Sequence, residues 1–131
     1  MDAGLESIIA AETILSDVNG LEGRLTIRGF ELDALIGSST FEGVLSLLWS
    51  GFFDIDLPPD DIQARLGLAR VAAFERLQTL PPSAPIETLR MGLCLSPDGD
   101  GLDEAIALVA TTAVATSLSR SEERRVGKEC W

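Results

Sequence analysis

Two acid pairs are the first groups in this chain that could do chemistry. Asp60-Asp61 and Glu31/Asp33 each set two carboxylates within reach of one another. Carboxylates in unequal surroundings can divide the work of acid and base. Both pairs open helical stretches, where a carboxylate offsets the positive end of the helix dipole, so capping is their expected role. Arg28 ends a strand-like run and could hold an anion; a salt bridge from that strand to a helix is expected instead. Ser96-Pro97-Asp98-Gly99-Asp100-Gly101 starts like a calcium loop. Counted from Asp98, however, the fifth and twelfth positions are Leu102 and Val109, where oxygen ligands are required, so it reads as a turn and helix cap. Cys94 and Cys130 are too few for a disulfide framework or a zinc site. Serines are frequent but histidine is absent. This chain alone therefore supplies no imidazole base, acid or metal ligand. It also lacks glycine-rich nucleotide fingerprints, a phosphate loop and Cys-x-x-Cys. No catalytic, cofactor-binding or metal-binding residue is assigned.

The elements around these residues follow from hydrophobic spacing. Residues 8–28 read as a β-hairpin. Ile8, Ile9, Thr13, Ile14 and Leu15 lean towards β structure, Asn19-Gly20 closes a turn, and residues 24–28 alternate polar and apolar. Gly29 stops the second strand. Residues 31–36 form a short helix that ends at Gly37. Ser39 and Glu42 make a Ser-x-x-Glu capping box. Behind it Phe41, Val44, Leu45, Leu48, Trp49 and Phe52 share one helical face, a core stripe rather than a ligand platform, with Gly51 as its stop. After Pro58-Pro59, Ile62, Leu66, Ala69, Ala73, Leu77 and Leu80 line a third helix as far as Pro81-Pro82. A fourth starts near Pro85 and faces inward through Ile86, Leu89 and Leu93. A fifth, over 102–118, is apolar nearly all round, which predicts burial on every side. Its apolar run over 106–118 is too short to span a bilayer, which takes roughly 20 residues. The fold class is therefore mainly α with a small β-hairpin near the N-terminus.

Charge divides the chain. It has 131 residues, 10 basic and 21 acidic, and a net charge of −11. Residues 1–119 hold six arginines and 18 acids, a net of −12, and no lysine. Residues 120–131, RSEERRVGKECW, hold the other four basic groups. The shift marks a boundary. The tail shows no periodicity and reads as non-native, like translated adapter sequence, or as disordered. An acidic body repels phosphate backbones, so nucleic acid is not an expected partner. The acidic N-terminus is unlike a signal peptide, and two cysteines fit a reducing compartment. A cytoplasmic protein without membrane contact is expected.

The order of features carries a resemblance. AAETILSDVNGLEGRLTIRGF over residues 10–30 resembles the opening signature of the citrate synthase family. The likeness continues through STFE at 39–42, LLWSG at 47–51, LPP at 80–82 and PIETLR at 85–90. It covers roughly residues 4–118. It implies a mainly helical fold and identifies 1–119 as the N-terminal, incomplete part of a citrate synthase-like domain. It also implies an intertwined homodimer at full length, and a reaction that condenses acetyl-CoA with oxaloacetate to citrate and CoA. Propionyl-CoA is the substrate of close relatives. The family's catalytic aspartate and two histidines lie further along its chains, and nothing in this sequence matches them. No resident cofactor is implied, acetyl-CoA being a substrate. The expectation is a family enzyme whose 131-residue chain is inactive alone. Two other readings stand beside it: a non-catalytic helical adaptor built on the same fold, and a binding module using the basic tail.

Overall fold

The computed structural model describes residues 13–53, 55–81 and 83–126. Three strands form one antiparallel sheet in the order β1-β2-β3: β1 Ser16–Asn19, β2 Arg24–Ile27 and β3 Phe30–Glu31. Ser16 faces Ile27 and Asn19 faces Arg24, while Ile27 faces Phe30. The β1–β2 connection is a four-residue loop rather than a two-residue Asn-Gly turn. Asn19 Oδ1 accepts from the Glu22 amide at 3.2 Å, and Gly23, with φ +66°, takes the left-handed conformation. The β2–β3 connection is the tight one. Arg28 and Gly29 both have positive φ, +50° and +85°, as a type I′ turn demands. The third strand therefore follows where Gly29 was expected to end the sheet. Ile8 and Ile9 lie outside the described residues.

Five helices follow among the described residues: α1 Leu32–Leu35, α2 Phe41–Trp49, α3 Pro59–Leu77, α4 Pro85–Cys94 and α5 Leu102–Val126. Mainly α with a small sheet is thus the observed class. Thr40, not Ser39, caps α2: its Oγ1 accepts from the Gly43 amide at 3.0 Å. Glu42 consequently falls one position short of the capping-box site, and the box does not form. Pro59 opens α3 and Pro85 opens α4 at first-turn positions, where the missing N–H has no helical partner to lose. α3 packs mainly on α5, α4 also packs on α5, and α2 leans on α3.

The core gathers Leu45, Leu57, Ile62, Leu66, Ile106 and Ala110, with Trp49, Phe53 and Val109 against it. The α3 stripe is seated as its spacing requires, with Ile62, Leu66, Ala73 and Leu77 all buried. The α4 face is different. Ile86 and Leu93 are exposed, and Thr88 and Gly92 are buried instead. Small residues face α5 because the two helices approach closely. A Cβ on Gly92 would stand 3.4 Å from Ala115 Cβ. Nor is α5 buried on every side. Ile106, Ala107, Ala110, Thr111, Ala115 and Ser119 face inward, while Leu108, Thr112, Ala113, Thr116 and Ser117 face out. Leu102–Ser119 is long and apolar enough, by length and composition alone, to cross a membrane, contrary to the reading of its apolar run as too short. Here its buried side packs on α3 and α4. The helix also runs to Val126, past the expected end at 118, through glutamate and arginine positions that are good helix formers.

Candidate functional site

The candidate residues are scattered rather than convergent. Asp60 and Asp61 lie in the first turn of α3, exposed, where acids favour the helix dipole. Glu31 closes β3 and Asp33 sits in the first turn of α1. With Gly23, Arg24, Leu25 and Leu32 they line a shallow pocket of about 100 Å³. The Glu31 carboxylate is bound to the Arg24 guanidinium, which Glu22 also meets at 3.3 Å. The hydrogen bond that the guanidinium donates to Glu31, then the one it donates to Glu22, raises Arg24 above its ordinary pKa. This pair fastens β2 to β3. Its carboxylate is engaged by a neighbour and not free to act on a substrate. The two acid pairs are on opposite sides of the α2 segment in sequence, and the pocket at Glu31 and Asp33 is not lined by Asp60 or Asp61.

Arg28 takes neither of its expected partners. Its Nε donates to the Leu47 carbonyl at 3.3 Å, and its Nη2 donates to the Ser50 carbonyl. The guanidinium carbon lies 5.8 Å from the centre of the Phe52 ring, a cation–π contact. Both carbonyls belong to the C-terminal end of α2, which carries the negative pole of the helix dipole and four carbonyls without helical partners. Arg28 thus caps a helix from a neighbouring turn. The sequence carries no signal for this contact, because its acceptors are main-chain carbonyls.

The aromatic stripe divides. Leu45 is buried, Trp49 meets Phe53 edge-on at 6.1 Å, and Phe41 and Phe52 remain exposed. An apolar groove of about 290 Å³ runs between α1, with Ile27 of β2, and α2, lined by Ile27, Leu32, Leu35, Ile36, Phe41 and Val44. A second, of about 340 Å³, lies between α3 and α5 with Arg70 and Phe74 on its rim. Both are apolar channels with few polar groups. Residues 96–101 form bends that lead into α5, with the Gly101 carbonyl accepting from the Ala105 amide at 3.1 Å. The Glu104 side chain folds back against Gly99 and Gly101. Among the described residues no group of three or more acidic, thiol or imidazole side chains could hold a metal ion. Cys94 is free and exposed at the end of α4; Cys130 lies outside the described residues.

The comparisons with known proteins supply what the geometry does not. Residues 4–128 match the family model described as citrate synthase, C-terminal domain. The chain belongs to the citrate synthase family. A citrate synthase of Haloferax volcanii is 32% identical over 94 residues, which is 66% of this chain and 25% of that protein. The chain thus spans about a quarter of the length of that citrate synthase. No solved structure matches significantly. Family membership agrees with the helical body and with the resemblance carried by residues 10–30.

Proposed function

We propose that the chain is the leading, N-terminal portion of a citrate synthase-type acyltransferase that condenses acetyl-CoA with oxaloacetate, releasing citrate and CoA. The match to the citrate synthase family over residues 4–128 supports the family-level part of this reading, and the resemblance of residues 10–30 to the family's opening signature supports its N-terminal placement. The reaction needs a base to take a proton from the thioester α-carbon and hydrogen-bond donors to hold the enolate oxygen, in a site closed to water. A carboxylate and two histidines fill those roles in the family. With no histidine in its sequence, this chain contributes scaffold, and the reacting groups come from other polypeptide. The working enzyme is a cytoplasmic homodimer. The 120–131 stretch takes no part in the reaction.

The test is CoA release from acetyl-CoA and oxaloacetate by the purified 131-residue chain. Release at background is expected. Turnover well above background, abolished by omitting oxaloacetate, would overturn the assignment of the chemistry to other polypeptide.

A second reading, a non-catalytic helical adaptor, draws on the exposed Leu68 and Val71 of α3. It predicts a monodisperse complex with a partner protein and no effect of acyl-CoA on that complex.

A further inference from the structure

The described residues fall into two packing groups. β1, β2, β3 and α1 pack on one another, and α2 to α5 pack on one another. No strand, nor α1, makes an extensive contact with α2, α3, α4 or α5. Between the groups runs the 290 Å³ groove, and the chain crosses over it through Gly37, whose φ is +79°. Arg28 bridges the gap. Its backbone N–H donates to the Leu15 carbonyl at 2.9 Å within the strand group, and its guanidinium reaches the Leu47 and Ser50 carbonyls of the helical group. Gly51 lies beside this contact, and its φ of +79° rather than lack of space is what favours glycine there.

The backbone adds a second observation. Arg28 is the one non-glycine residue with positive φ among those described. The first central position of a type I′ turn favours Asn, Asp or Gly, which tolerate that conformation. A long β-unbranched cation gains nothing there from its backbone. Its side-chain bonds across the groove are what the position obtains in return. We propose that Arg28 is a latch: it holds the strand group against the end of α2, and its release lets that group swing about Gly37 while the helical body stays folded.

Hydrogen exchange on the unsubstituted chain tests the division first. Amides of β1 and β2 are expected to exchange about tenfold or more faster than those of Ile62 to Leu77, through an opening that leaves α3 and α5 closed. Equal protection would overturn the proposal. The latch itself is tested with Arg28→Met, which keeps the stem and removes the donors. Spin labels go at exposed Val18 and Leu68, with Cys94 and Cys130 replaced by serine. The distance distribution between the labels is expected to broaden on Arg28→Met, with the helical circular dichroism unchanged. An unchanged distribution would overturn the proposal, and so would loss of the helical signal, because Arg28 would then belong to the fold of the body itself.

Discussion

Gly92 shows how much one missing side chain can decide. A Cβ at this position would meet Leu77 Cδ2 at 3.3 Å, and Ala115 Cβ and Thr111 Cγ2 at 3.4 Å. Gly92→Ala sets a gain of about 1 kcal/mol in helix propensity against neighbours that must give by a few tenths of an ångström. It is expected to be close to neutral. Gly92→Val adds two further methyl groups to the same space and is expected to cost about 1–3 kcal/mol through overpacking. Urea unfolding followed by circular dichroism checks both: the midpoint should fall for valine with the slope unchanged. A valine variant as stable as the parent would mean that α4 does not seat on α5 at this residue. The polar cluster beside it is tuned less tightly. Ser96 Oγ lies 3.1 Å from Thr111 Oγ1, and Arg76 Nη2 lies 3.4 Å from the same hydroxyl, but the buried Arg76 Nε has no partner among the described residues.

Helix ends and helix faces differ in how far spacing reveals them. Thr40 accepts from the Gly43 amide, so Thr40→Ala is expected to cost about 1 kcal/mol, read as a lower unfolding midpoint. Ser39→Ala should cost much less. The reverse order would restore Ser39 as the cap. Two adjacent hydroxyls could each serve, and the pattern Ser-x-x-Glu favoured the wrong one because nothing local fixes which residue enters the helix first. The face of α3 was legible, since its leucines and isoleucine recur every turn against one broad partner. That of α4 was not. Glycine and threonine carry no apolar signal, yet they are what close helix packing selects, so Ile86 and Leu93 drew the prediction to the solvent side. The β2–β3 turn was missed for a related reason: Gly29 reads as a stop, and only the positive φ of Arg28 shows that the chain reverses there. At the candidate site, Asp33, Asp60 and Asp61 sit in helix first turns as their positions suggest, whereas Glu31, at the start of α1, makes no side-chain cap bond and pairs with Arg24 instead. The target of Arg28 could not be read, because helix carbonyls leave no mark in a sequence.

The molecule as a whole keeps much apolar surface in water. Leu68 is 76% exposed, Val71 61% and Phe74 47%, all on α3, and Leu108 on α5 is 40% exposed. Such side chains close together favour association over a monomer. The chain is expected to raise the fluorescence of a hydrophobic dye above blank, and Leu68→Glu with Val71→Lys should lower that signal. Dye fluorescence at blank level in the parent chain would show that these side chains do not form one patch. The same architecture also sets a schedule for synthesis. The core joins Leu45, Leu57, Ile62 and Leu66 to Ile106 and Ala110, and both α3 and α4 rest on α5, which is made after them. About 40 positions separate Leu66 from Ile106, several seconds of translation at roughly 5–20 residues per second. Throughout that interval the earlier helices wait on the ribosome without their keystone, and shelter for them must come from elsewhere in the cell.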